Sequence, residues 1–134
     1  MWLAAPAAPT ACATILPMAL RALIVDDHTP FRSTARRLLE CDGFSVVGEA
    51  GDGRAALDAT RALRPDVVLL DVYLPDADGF EIAARITTGA DAPAVVLTSS
   101  RDGADFGPLI ERSGARGFVP KGELSGPALR ALLE

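Results

Sequence analysis

The chain has 134 residues, of which 49% are apolar, and a formal net charge of −5. This length suits one compact domain and is too short for two ordinary ones. An acidic chain with scattered arginines lacks the basic face that a nucleic-acid backbone requires, which argues against direct binding of nucleic acid. No stretch reaches the roughly 18 to 20 apolar residues that a membrane span needs, so we expect no membrane insertion.

The first 18 residues differ in composition from the rest of the chain. They carry no charged side chain, are rich in alanine and proline, and show neither helical nor strand periodicity. We therefore predict a disordered N-terminal extension over residues 1–18 and one folded domain over residues 19–134. The extension lacks the positive start and unbroken apolar core of a secretion signal. A separate hypothesis is that Met18 is the first residue of the natural protein, which its N-terminal mass would test.

The chain has two cysteines, Cys12 and Cys41. Their spacing fits neither a zinc site nor a disulfide framework. Since cytoplasmic proteins keep their thiols reduced, this predicts reduced thiols in a cytoplasmic protein.

Beyond the extension, short apolar runs alternate with helical patterns five times. The apolar runs predict strands over residues 22–27, 44–50, 66–71, 93–99 and 117–121. The helical patterns predict helices over residues 30–41, 53–63, 79–87, 104–114 and 125–134. We expect the fourth helix to be short, because Gly107 and Pro108 lower its helix propensity. Ser125 is a candidate N-cap of the fifth helix.

Strands that alternate with helices at this spacing predict an α/β fold with a parallel sheet and helices on both faces. Right-handed crossovers then favour the five-strand order 2-1-3-4-5. The carboxyl ends of parallel strands lie along one edge of the sheet, where ligands bind. We therefore expect the residues that close four of the strands to converge at this edge: Asp26, Asp27, Asp71, Thr98 and Lys121.

Three carboxylates at one edge repel one another, and either a proton or a divalent cation relieves the repulsion. Oxygen ligands suit Mg²⁺, which takes one or two carboxylates and keeps several waters. Lys121 is the single lysine among 13 basic residues, which suggests a role that an arginine guanidinium would not fill. An acid nucleophile, a metal, a cation and the Thr98 hydroxyl are the components of phosphoryl transfer.

Five separated motifs, in this order, resemble the receiver domain of two-component response regulators: ALIVDDHTPFR, EAGDGRAAL, PDVVLLDVYLPDADGFE, VVLTSS and GARGFVPK. The resemblance covers about residues 20 to 134 and is strongest to receivers of the NarL/LuxR-like group. It implies a flavodoxin-like receiver fold over residues 19–134. It also implies a cytoplasmic signalling module that assists its own phosphorylation and dephosphorylation and is not an enzyme with turnover.

The resemblance assigns a phosphoacceptor and a metal site. Asp71 matches the acid that accepts a phosphoryl group from the phosphohistidine of a sensor histidine kinase. Asp27 matches the direct ligand of Mg²⁺, and Asp26 matches the acid that binds the ion through water. Asp71 and the backbone carbonyl of Tyr73 match the remaining protein ligands.

The resemblance also assigns residues that respond to the phosphoryl group. Thr98 and Lys121 match the residues that grip the phosphoryl oxygens, and Phe118 matches the aromatic residue whose rotation accompanies activation. Tyr73 and Ser100 match positions that tune the lifetime of the aspartyl phosphate.

The chain departs from the family pattern near its end. Many receivers carry proline directly after the lysine, whereas here Gly122 follows and Pro120 precedes it. No helix-turn-helix effector follows the fifth predicted helix before Glu134, so we expect either a receiver that acts alone or a fragment. The expected partners are a sensor histidine kinase, a downstream protein of unknown identity and, as one option, a second copy of the chain.

Several alternatives stay open. The stretch 51–56, GDGRAA, fits the dinucleotide pattern G-x-G-x-x-A, but that turn normally follows the first strand rather than the second. His28 is either a neighbour of the metal's waters or a solvated loop residue, and Phe118 is either a switch or a core residue. Asp76 and Asp78 are expected to form a turn rather than to bind metal. A degenerate receiver that acts as a phosphorylation-independent interaction domain is the alternative function.

Overall fold

The computed structural model describes residues 3–4, 19–100 and 105–134. Five parallel strands form the body of its sheet, in the order β2-β1-β3-β4-β5, which confirms the predicted order. The strands are β1 (Arg21–Val25), β2 (Ser45–Ala50), β3 (Val67–Asp71), β4 (Ala94–Ser99) and β5 (Gly117–Pro120).

A short additional strand lies beside β2. Leu3–Ala4 pairs antiparallel with the edge of β2, opposite Glu49 and Gly48. At these two positions the structure shows regular backbone pairing where the sequence predicted disorder. The rest of residues 1–18 lies outside the described residues, so disorder there stays a prediction.

Helices cover both faces of the sheet, as predicted. They are α1 (Thr29–Cys41), α2 (Gly53–Leu63), α3 (Gly79–Ile86), α4 (Leu109–Arg112) and α5 (Gly126–Leu133). A 3-10 helix, Lys121–Glu123, leads into α5. The described helix α4 is a single turn, shorter than the predicted range 104–114, because Gly107 has a φ of 54° and Pro108 follows it.

The central strand β3 is buried on both faces, which explains its continuous apolar sequence. Val68 and Leu70 pack into a core formed with α2 and α3. Val67 and Leu69 pack into a second core formed with α1 and α5. Since successive side chains of a strand alternate between faces, Asp71 belongs to the α1–α5 face of the sheet.

Acidic and hydroxyl side chains fix the starts of three helices. Asp52 accepts a hydrogen bond from the N–H of Ala55 in α2 at 2.7 Å. The Asp52 carboxylate therefore caps α2. This agrees with the interpretation of GDGRAA as a tight turn into the helix, the alternative to a dinucleotide-binding turn. Ser125 accepts a bond from the N–H of Ala128 at 3.0 Å, which confirms it as the N-cap of α5.

Asp76 and Asp78 do more than form a turn. Asp78 caps α3 through the N–H of Phe80 at 2.8 Å. Asp76 reaches across to α2 and accepts bonds from the N–H groups of Gly53 at 2.7 Å and Arg54 at 3.1 Å. The bond from Gly53 is the main reason that the pKa of Asp76 lies below its ordinary value. The loop after β3 is thus attached to the start of α2.

Cys41, the last residue of α1, is disulfide-bonded. The predicted reduced thiol is therefore wrong at this position. The other cysteine, Cys12, lies outside the described residues. Sequence spacing did not reveal the bond because a disulfide depends on the distance between two residues in space.

None of the described helices combines the length and the apolar character that crossing a membrane requires.

Candidate functional site

The alternation of the strands places four polar side chains on one face at the carboxyl edge of the sheet. Each lies two positions beyond a residue of the α1–α5 core, and a strand repeats every two residues. The pairs are Ile24 and Asp26, Leu69 and Asp71, Val96 and Thr98, and Val119 and Lys121. The predicted convergence of the strand ends is therefore present, and the pleat explains it.

Lys121 lies between two buried carboxylates. Its Nζ is 2.6 Å from Oδ2 of Asp26 and 3.2 Å from Oδ2 of Asp71. Asp26 is completely buried and Asp71 is 5% exposed. The ammonium also lies 4.5 Å from the centre of the Phe31 ring, a favourable place for a cation. One ammonium group therefore compensates two acids that would otherwise be costly to bury.

Burial is the main reason that the pKa of Asp71 is raised to about 6. The N–H of Tyr73, which donates to Oδ1 of Asp71 at 3.1 Å, acts in the opposite direction. The charge of Asp26 adds to the rise, and the ammonium of Lys121 opposes it. The raised pKa still leaves Asp71 mostly ionised at neutral pH, as a nucleophile must be.

The pKa of Lys121 reflects the same balance. Burial lowers it, but the two nearby carboxylates of Asp26 and Asp71 together outweigh burial and hold the pKa above its ordinary value. Lys121 is therefore a permanent cation throughout the physiological range.

Asp26, Asp27 and Asp71 form a group that fits a divalent cation. One carboxylate oxygen of each lies within 4.8 Å of the other two. Oδ2 of Asp26 is buried and accepts no hydrogen bond of acceptable angle within the described residues, although Lys121 lies close to it. Asp27 is exposed, so water can complete the shell. A set of hard oxygens with open positions is the kind of site that Mg²⁺ prefers.

The backbone after β3 turns sharply to bring Tyr73 beside the acids. The N–H of Gly79 donates to the carbonyl of Val72 at 2.7 Å, and Tyr73 pairs with Asp78 in an isolated bridge. A Cβ atom on Gly79 would lie 2.6 Å from Cα of Val72 and would also clash with the carbonyl of Asp71. Glycine is needed here because two backbone segments touch.

Thr98 and Phe118 lie on neighbouring strands. Thr98 is buried, and its hydroxyl donates to the carbonyl of Val119 at 2.7 Å. Phe118 is half-buried and packs against the α2–α3 core, so the core function that the sequence left open is present. Ser100 is exposed just beyond β4.

Phe106 is a central residue that the sequence analysis missed. Its buried ring lies 5.4 Å from the rings of Phe118 and Phe80 and 6.2 Å from that of Tyr73, measured between ring centres. These contacts connect the exposed rim of the acidic site with Phe118. The sequence did contain a signal for Phe106. A large apolar residue in a glycine-containing segment indicates a buried contact, because a solvated loop would not carry one.

A doubly wound domain with an acidic pair, a third buried acid, a lysine and a buried threonine at one sheet edge defines the class of receiver domains. Residues 22–133 match the family model for the response regulator receiver domain. The chain belongs to this family. Receiver domains generally are phosphorylated on an aspartate and bind Mg²⁺ at an acidic pocket.

Curated relatives and solved structures agree with this family. The chain is 42% identical over 105 residues to "Response regulator MprA" of Mycolicibacterium vanbaalenii, which covers 78% of this chain and 45% of that protein. It is 38% identical over 106 residues to "Transcriptional regulatory protein PdtaR" of Mycobacterium tuberculosis, covering 75% and 49%. The chain therefore spans about half the length of these relatives.

Among solved structures, a two-component response regulator of the LuxR family from Aurantimonas sp. SI85-9A1 superposes with a TM-score of 0.77. The two chains are 32% identical, and the match covers 86% of this chain and 85% of the other. This similarity confirms the predicted receiver fold and its likeness to the NarL/LuxR group.

Proposed function

We propose that Asp71 accepts a phosphoryl group from the phosphohistidine of a sensor histidine kinase. The observation that carries this proposal is the buried Asp71 carboxylate, 3.2 Å from the ammonium of Lys121 and grouped with Asp26 and Asp27. A carboxylate oxygen of Asp71 attacks phosphorus, the phosphorus–nitrogen bond breaks, and the imidazole leaves with the bonding electron pair. The product is an aspartyl phosphate.

In this proposal Asp26, Asp27, Asp71 and the carbonyl of Tyr73 hold Mg²⁺, with Asp26 acting through water. The ion neutralises negative charge where the carboxylate and the phosphoryl oxygens approach each other. Oδ1 of Asp71 is already oriented by the N–H of Tyr73. The protein therefore presents the nucleophile in a fixed position before the phosphodonor arrives.

Lys121 and Thr98 bind the phosphoryl oxygens in the phosphorylated protein. Lys121 is already beside Asp71, whereas the hydroxyl of Thr98 donates to the carbonyl of Val119. Thr98 must exchange this bond for a phosphoryl oxygen, which changes the connection between β4 and β5 next to Phe118. We propose that Phe118, in contact with Phe106, transmits this change to the surface that a partner binds.

The proposed partners are a sensor histidine kinase and a downstream protein, with a homodimer as a further option. A cytoplasmic location, which is typical of receiver domains, is part of this proposal. The domain acts as a signalling switch and not as an enzyme with turnover. Retention of all three acids with Lys121 favours this function over a degenerate receiver that binds partners without phosphorylation.

Asp71→Asn is expected to abolish phosphorylation. The protein is incubated with acetyl phosphate and Mg²⁺, and its intact mass is measured. We expect one added phosphoryl group in the natural chain and none in Asp71→Asn, because an amide is not a nucleophile here. Asp78→Asn is the matched control, since it changes an acid of the same loop and an asparagine can still cap α3. A natural chain that gains no phosphoryl group, or an Asp71→Asn variant that gains one, contradicts the proposal.

Substitutions of Tyr73 and Ser100 are expected to change the lifetime of the aspartyl phosphate. Both residues are exposed and lie two positions beyond Asp71 and Thr98. We propose that their side chains limit the access of water to the aspartyl phosphate. The decay of the phosphorylated mass with time gives the hydrolysis rate of Tyr73→Ala and Ser100→Ala variants. Rates equal to that of the natural chain in both variants would show that neither residue tunes hydrolysis.

A further inference from the structure

Arg32, in the first turn of α1, connects the acidic site with strand β2. Its Nη1 donates to the backbone carbonyl of Asp26 at 2.6 Å. Its Nε donates to Oε1 of Glu49 at 3.0 Å, and its Nη2 to the hydroxyl of Thr29 at 3.2 Å. One guanidinium group thus contacts the backbone of Asp26 after β1, the side chain of Glu49 in β2 and its own helix. The planar fork of arginine permits this geometry.

Glu49 holds this guanidinium in place. Its second oxygen, Oε2, accepts bonds from Nε and Nη2 of Arg36 at 2.8 and 2.6 Å. The side chains of Arg32, Glu49 and Arg36 are 13%, 16% and 19% exposed, so solvent competes little for these bonds. Both carboxylate oxygens of Glu49 are used, which fixes the direction in which Arg32 points.

The carbonyl that Arg32 binds belongs to the peptide group between Asp26 and Asp27. The N–H of Asp26 is bonded as well, to the carbonyl of Ala50 at 3.0 Å. Both backbone groups of Asp26 are therefore held by neighbours outside the loop. Because rotation of the Asp26–Asp27 peptide would move both carboxylates, its orientation decides whether the two acids face one cation.

We propose that Arg32 is a positioning residue for the Mg²⁺ site, acting through the Asp26–Asp27 peptide and anchored by Glu49. This inference rests on the proposed function, in which these acids bind the ion. It assigns Arg32 no contact with the ion or with the phosphoryl group.

The sign of the effect separates positioning from simple electrostatics. The positive charge of Arg32 repels a cation, so removing the charge alone would tighten the binding of Mg²⁺. Losing the orientation of the peptide would weaken it, and changes of this kind in residues that support metal ligands typically cost roughly 10-fold or more in affinity. A weaker site after removal of a nearby positive charge has no electrostatic explanation.

The test is a Mg²⁺ titration of the whole chain, without phosphodonor, followed by the backbone amide shifts in ¹⁵N spectra. The spectra report the fold of each variant in the same experiment. We expect Arg32→Gln to raise the Kd by roughly 10-fold. Arg32→Lys is expected to have a Kd for Mg²⁺ close to that of Arg32→Gln, because one ammonium cannot bridge both Glu49 and the carbonyl of Asp26. Arg37→Gln removes the same charge from an exposed position of α1 and should leave the Kd unchanged or slightly lower.

Glu49→Gln provides a milder variant should Arg32→Gln fold poorly. It weakens the anchor of Arg32, so we expect a smaller rise in Kd. Loss of the Glu49 charge would by itself also weaken cation binding, so the double variant is the deciding measurement: if Glu49 acts through Arg32, it should be no weaker than Arg32→Gln alone. Folded variants at positions 32 and 49 that bind Mg²⁺ as tightly as the natural chain would overturn the inference. A natural chain that shows no Mg²⁺ binding would instead overturn the proposed metal site itself.

Discussion

Lys121→Met is expected to destabilise the protein by roughly 3–5 kcal/mol at pH 8 without divalent cations, the usual cost of removing one partner of a buried ion pair. The ammonium lies within 3.2 Å of two carboxylates, one fully buried and one 5% exposed. Methionine keeps much of the side-chain volume and removes the charge, so the two acids would face each other without compensation. Urea unfolding at fixed pH measures the loss.

Three further conditions identify the cause of this loss. The cost should shrink at pH 5, where Asp71 takes up a proton, and in an Asp71→Asn background, where one of the two charges is absent. Added Mg²⁺ should stabilise Lys121→Met more than the natural chain, because the ion replaces the missing cation. Lys121→Arg keeps the charge and is expected to preserve the fold while uncoupling phosphorylation from the conformational response. An equal cost in every background would show that lost packing, not charge, explains the destabilisation.

Asp71→Asn is expected to stabilise the metal-free protein by about 3 kcal/mol at pH 7.5, given that one pKa unit corresponds to about 1.4 kcal/mol. The pKa of Asp71 is raised from 3.8 to about 6 in the folded chain, chiefly by burial. Folding therefore favours the protonated acid, and ionising it in the folded state costs free energy. The cost is absent below pH 3.8, develops as the pH rises towards 6, and is complete above it.

The difference in unfolding free energy between Asp71→Asn and the natural chain should therefore vanish near pH 4 and be largest above pH 6. Saturating Mg²⁺ should reverse the order, since the ion stabilises the carboxylate and not the amide. Asp76→Asn is the control of opposite sign. The pKa of Asp76 is lowered by its bonds to α2, so its carboxylate contributes stability above the ordinary pKa, and this is lost as the pH falls. A pH-independent difference for Asp71→Asn would exclude ionisation of Asp71 as the cause.

The Lys121→Met and Asp71→Asn predictions both concern the balance between buried negative charge and the ammonium of Lys121. The first removes the positive charge and the second removes one negative charge. Lys121 compensates the charges of Asp26 and Asp71, and burial favours the protonated form of Asp71. The folded domain therefore carries some instability at the position where it needs a reactive carboxylate. A bound cation and a phosphoryl group are the two ligands that we expect to relieve it.

Strand order and site composition were readable from the sequence because they depend on local patterns. The run Val67–Leu70 shows a strand buried on both faces, and its last residue, Asp71, follows from the chain itself. The two-residue repeat of each strand also determines that Asp71 and Thr98 share a face. Helix α4, by contrast, is shorter than its pattern predicts, because Gly107 adopts a positive φ just before Pro108 and regular helix begins only at Leu109.

Side-chain partners across the fold were not readable in the same way. The sequence predicted Asp76 to be a turn residue. In the structure it also accepts a hydrogen bond from the N–H of Gly53 in α2, 23 residues earlier in the chain. Phe106 looked like part of a weak helix, yet its ring lies between Tyr73 and Phe118. Cys41 gave no sign of its disulfide. Each of these depends on a distance between residues that sequence spacing does not encode.

The sequence by itself determined the parallel α/β order, the acids at the strand ends and the single lysine among them, because period, polarity and composition are local properties of the chain. Only the tertiary structure decided that Lys121 lies 2.6 Å from Asp26 and 3.2 Å from Asp71, 50 residues away. Burial of these acids raises the pKa of Asp71 to about 6. Burial and charge compensation arise when separate strands pack side by side, and so they exist only in the folded domain.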